Sequence, residues 1–113
     1  ADSHASARSV YARYLERHHF HTETAATPHE LSASLDRTRP AAVLIETELG
    51  GVTIGEMAGW PALQGVPVIV LAGGSGDGLS ADGAFSPAAV LRKPFQLSTM
   101  LEVVRGALRT HAR

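Results

Sequence analysis

The sequence predicts an α/β domain of three layers, a parallel sheet with helices on both faces. Three observations carry this. Helical and extended patterns alternate along the 113 residues. The extended runs are apolar at every position, as in strands buried on both faces. Charged residues stand where those runs end, and open parallel sheets gather their working groups at the carboxyl ends of strands. The length suits one domain, residues 1–113.

Ser6 to His18 reads as a helix, because Val10, Tyr11, Tyr14, Leu15 and His18 recur at three- and four-residue spacing while Arg8, Arg13, Glu16 and Arg17 cover the other side. Phe20 to Ala25 alternates weakly and reads as an edge strand. Thr27-Pro28-His29-Glu30 is a helix start, with Thr at the N-cap, Pro at N1 and Glu at N3. This helix runs to Arg39, where Pro40 stops it. Ala41 to Ile45 is a buried strand that ends in Glu46, and Glu46 to Thr53 reads as a loop. Ile54 to Trp60 is a brief helix broken by Pro61. Pro67 to Leu71 is the clearest strand, and a glycine-rich loop, Gly73 to Gly78, follows it. Gly78, Asp82, Gly83 and Pro87 disfavour a helix after that loop. Ala89 to Arg92 is the last strand. Leu97 to Thr110 closes the chain as a helix with Leu97, Met100, Leu101, Val104 and Leu108 on one face.

Composition narrows the function. With 44% hydrophobic and 19% charged residues the chain can build a core. A net charge of -1 argues against a nucleic-acid or anionic-membrane surface. Cysteine is absent, which removes disulfides, thiolate metal sites and cysteine nucleophiles. No apolar stretch approaches the ~20 residues that cross a bilayer, so a cytoplasmic location is expected.

Strand ends bring Asp2, Glu46, the loop after Leu71 and Lys93 to one rim. The carriers of this pattern are Ala1-Asp2-Ser3 with Arg8 beyond it, Pro40 to Glu46, Pro67 to Ala72, and Leu91-Arg92-Lys93-Pro94-Phe95. In these stretches the chain resembles the receiver domain of bacterial two-component response regulators. The resemblance implies a flavodoxin-like parallel sheet of order 2-1-3-4-5 and a cis peptide at Lys93–Pro94. It also implies a phosphoacceptor aspartate at the end of the third strand, two metal-binding acids after the first, a Ser or Thr after the fourth, and a lysine after the fifth.

Against that pattern Glu46 replaces the acceptor, Ser3 replaces one metal-binding acid and Ala72 replaces the hydroxyl residue. Asp2 and Lys93 remain, and Val90 stands at the aromatic switch position. The pocket Asp2, Ser3, Glu46, Ala72 and Lys93 is therefore expected to be a degenerate one. Asp2 is a vestigial metal contact, no cofactor is expected, and Mg²⁺ would bind weakly. Glu46 is expected to pair with Lys93 and to imitate part of the phosphorylated charge, and an ordinary rim ion pair without switching is the competing reading. The implied function is a non-enzymatic regulatory module that works through a protein partner, an attached domain or a second copy. The alternatives are an active phosphoacceptor using Glu48 or Asp2, and a small-ligand or nucleotide-binding domain using the Gly73–Gly78 loop.

Other motifs read as structural. Gly74-x-Gly76-x-Gly78 is neither a dinucleotide fingerprint nor a P-loop. His18-His19-Phe20-His21 reads as a solvated turn rather than a metal site, because it offers no fourth ligand. Trp60 is a packing residue. Glu102, Arg105 and Arg109 form an outer surface for a partner. The first strand should precede Asp2, where only Ala1 stands. Either it is truncated here or another segment takes its central place, since an empty place would leave two rows of backbone groups unpaired. The fourth helix is expected to be short or absent.

Overall fold

The computed structural model describes residues 1–73 and 87–111. Residues 78–83 and most of the Gly73–Gly78 loop lie outside them, as does the place of the expected fourth helix. Four helices and five strands are described: α1 Ala5–Arg17, α2 Pro28–Thr38, β1 Val43–Glu46, β2 Glu48–Leu49, β3 Val52–Thr53, α3 Ile54–Met57, β4 Val68–Ala72, β5 Ala89–Arg92 and α4 Leu97–His111. A 3₁₀ turn at Pro61–Leu63 follows α3.

The parallel α/β architecture is as the apolar runs predict. β1, β4 and β5 form a parallel sheet in that order, with Val43 beside Val68 and Ile69 beside Ala89. All five residues of β4 are buried. Their alternation feeds two cores. Val68 and Val70 join Leu31, Leu35, Ile45, Ile54 and Met57 on one face. Ile69 and Leu71 join Leu15, Leu91, Met100, Leu101 and Val104 on the other. Each such side chain contributes about 1.5–3 kcal/mol by leaving water.

Local chemistry sets the helix ends. The Thr27 hydroxyl accepts the Glu30 amide at 3.1 Å, and the Glu30 carboxylate accepts the Ala26 amide at 2.7 Å. Arg39 ends α2 in the left-handed region at φ 48°, and Pro40 prevents continuation. α3 is shorter than expected, because Ala58 already caps it before Trp60 turns extended. Trp60 packs on the α2 side of the core.

Two expectations are corrected. The Glu46–Thr53 loop contains an antiparallel hairpin, Glu48 opposite Thr53 and Leu49 opposite Val52. Gly50 and Gly51 turn it with φ of 55° and 85°, the positive pair that a tight two-residue turn demands. Phe20 to Ala25 is no strand. Ala1 bonds to β1 on one side, its amine to the Leu44 carbonyl and its carbonyl from the Glu46 amide. The Asp2 amide donates to the Ala25 carbonyl on the other side. Ala1 and Asp2 thus stand between β1 and the 20–25 segment, where order 2-1-3-4-5 puts its first strand.

A cavity of about 270 Å³ opens along that place, with Leu15, Leu31, Leu35, Val43, Leu44 and Leu71 in its lining. In a parallel ladder alternate residues face opposite neighbours. Val43 faces β4 through its amide bond to Pro67, so Leu44 and Ala42 face the cavity.

Candidate functional site

The rim residues come from three chain segments. Asp2 follows Ala1 beside β1 and is 1% exposed. Glu46 ends β1 and is 8% exposed. Lys93 follows β5, and its amide donates to the Ala72 carbonyl at 2.7 Å, which fixes it against the end of β4. Phe95, two residues on, stacks on Tyr11 of α1 with ring centroids 5.5 Å apart. The Lys93–Pro94 peptide is cis.

The ion pair differs from the expected one. Lys93 Nζ donates to Asp2 Oδ2 at 2.8 Å, and no ion pair joins it to Glu46 among the described residues. Glu46 Oε1 instead accepts the Ser3 amide at 2.9 Å. Pairing of Ala1 with Leu44 and Glu46 sets the Ser3 amide beside the glutamate, whose extra methylene lets it bend onto that donor. Ser3 thus serves through its backbone, while its side chain is exposed.

Asp2 is held on every side. Its Oδ1 accepts the His4 amide at 2.8 Å and lies 3.1 Å from His4 Nδ1. Its carbonyl accepts from Arg8 at 2.9 Å. Burial works against its ionisation, but the bonds from Lys93 and from the backbone and ring of His4 outweigh burial and lower the carboxyl to about 2. Burial likewise works against charge on Lys93, and Asp2 outweighs it, so Lys93 is raised.

His4 is the residue that sequence reasoning passed over. Its ring is 72% exposed, and Nδ1 lies 3.9 Å from Glu46 Oε2. The signal was the spacing: an Asp side chain commonly bonds the amide two residues on, which brings the side chain at that position beside it. Ala72 is buried at the end of β4 and offers no hydroxyl. Glu48, in the hairpin, is exposed. Among the described residues Asp2, His4 and Glu46 form a group able to hold a metal, and the His18–His21 turn forms none. Glu102, Arg105 and Arg109 are exposed on α4.

No protein-family model matches the chain, and no curated protein matches it. Solved structures do. NtrX from Brucella abortus in complex with ATP superposes with a TM-score of 0.85 at 21% identity, covering 98% of this chain and 26% of that one. The receiver domain of the same NtrX gives 0.81 at 19% identity, covering 96% of this chain and 95% of the other. The chemotaxis response regulator CheY4 of Vibrio cholerae gives 0.80 at 20% identity, with 94% and 92% covered.

The fold is the response-regulator receiver fold. This chain spans about a quarter of the NtrX chain it matches. In a receiver the rim pocket is where Mg²⁺ is expected, and the donors here suit that ion poorly. Mg²⁺ demands six oxygens in near-octahedral order. This rim offers two carboxylates, one already bonded to an ammonium, and the third side chain grouped with them, His4, brings a nitrogen. No helix among the described residues is long and apolar enough to cross a membrane.

Proposed function

We propose that the chain is a receiver-like regulatory domain that does not use ordinary aspartyl phosphorylation and acts through protein–protein contact. One observation carries this reading. The carboxylate at the acceptor position, Glu46, is bent onto the Ser3 amide, while Lys93 is taken by Asp2. Phosphoryl transfer depends on positioning and on charge held ready for the transferring group. Here the nucleophile is engaged, the lysine is neutralised, one acid is missing and Ala72 cannot donate.

The charge pattern of the rim is therefore built in by sequence. The partner surface would be the outer face of α4, with Glu102, Arg105 and Arg109, beside the exposed Val90 of β5. Such a surface fits an attached domain, another protein or a second copy. The partial coverage of NtrX supports a domain within a longer regulator.

The test is incubation with a small phosphodonor and Mg²⁺, followed by intact mass. No added phosphoryl group is expected. A stable adduct would overturn the reading and favour the active phosphoacceptor, whose site peptide mapping would then assign to Glu46, Glu48 or Asp2. The combined variant Glu46→Asp, Ser3→Asp, Ala72→Thr is expected to gain phosphorylation. Continued inertness of a folded triple variant would count against this account of what was lost.

A further inference from the structure

The rim that suits Mg²⁺ poorly presents another donor set. Asp2 Oδ1, His4 Nδ1 and Glu46 Oε2 converge from two segments, with Nδ1 3.1 Å from Oδ1 and 3.9 Å from Oε2. One donor atom from each of the three residues lies within 4.8 Å of the others. Ligands ~2.0–2.2 Å from one ion stand roughly 3.0–3.5 Å apart, so the three need little movement to share an ion.

We propose that Asp2, His4 and Glu46 form a binding site for a divalent transition metal of the Zn²⁺ or Co²⁺ kind, in preference to Mg²⁺. Imidazole suits the first group, and all-oxygen sites suit Mg²⁺. The two carboxylates are preset. Lys93 occupies Asp2 Oδ2, while Oδ1 accepts the His4 amide and faces the His4 ring, and the Ser3 amide occupies Glu46 Oε1 and leaves Oε2. The exposed His4 ring closes the set from the solvent side, which gives the ion an entry path. Water completes the coordination.

This inference concerns the same pocket as the regulatory reading but rests only on its donor atoms. The test uses the 113-residue chain after chelator treatment, titrated separately with Zn²⁺, Co²⁺ and Mg²⁺ by calorimetry, with the Co²⁺ visible spectrum as a second readout. One Zn²⁺ is expected to bind at least tenfold more tightly than Mg²⁺. His4→Ala is expected to weaken Zn²⁺ at least tenfold and to change the Co²⁺ spectrum, with the domain still folded in chelator because the ring is exposed. The control His19→Asn, His21→Asn is expected to leave that binding as it is. The proposal fails if Zn²⁺ does not bind, if Mg²⁺ binds equally well, or if Zn²⁺ affinity follows the turn histidines rather than His4. No phosphodonor is present, so such a failure leaves the acceptor reading standing, and a phosphoryl adduct would overturn that reading without touching this one.

Discussion

Replacing Lys93 by methionine should invert the acid response of this domain. In the native protein the Asp2 carboxyl lies at about 2, below its ordinary 3.8. A depressed carboxyl stabilises the fold fully above its unfolded value and loses that stabilisation as pH falls from about 4 toward about 2. The difference is worth about 2 kcal/mol at neutral pH, at 1.36 kcal/mol per unit. Lys93→Met removes the largest of the influences that lower Asp2 and leaves burial, which raises it. A carboxylate that is 1% exposed then lacks its ammonium. Breaking a buried pair on one side costs 3–5 kcal/mol, and the partly exposed lysine puts this case at the low end, about 3 kcal/mol. The assay is urea unfolding at pH 7, 5 and 3. The native domain should lose stability between pH 5 and 3, whereas Lys93→Met should hold or gain it as Asp2 takes up a proton. Adding Asp2→Asn to the variant should recover part of the loss. A cost under 0.5 kcal/mol at pH 7, or parallel acid profiles for the two proteins, would refute the account of the rim.

Two further outcomes follow from local geometry. Gly50→Ala should lower stability by about 1–2 kcal/mol in chemical denaturation, because the residue holds φ 55° and its new Cβ would stand 2.9 Å from Pro28 Cδ. Thr27→Ala should cost about 1 kcal/mol by removing the acceptor for the Glu30 amide, and Thr27→Ser should restore most of it, read by urea midpoint.

What the sequence made legible were the features that repeat over several residues. The apolar run of β4, the capped start of α2 and the stripe on α4 each pool many weak preferences into one period. The Gly50–Gly51 hairpin reads as a loop in the sequence, because strands of two residues carry almost no periodic signal. Phe20 to Ala25 misled because weak alternation shows only that a segment can pair, not that it does. The rim was legible as a set of residues and illegible as a set of bonds. Which carboxylate Lys93 takes depends on a few ångströms fixed by the pairing of Ala1 with β1, and no spacing rule reports that. His4 escaped notice because its place in the rim comes from a bend of the chain at Asp2, not from a motif.

The Asp2–Lys93 bond joins positions 91 residues apart in the chain. Closing so long a loop must wait until the elements between have found one another. The rim is thus a late-forming part of the fold, and substitutions in it will speed unfolding while leaving the folding rate nearly unchanged.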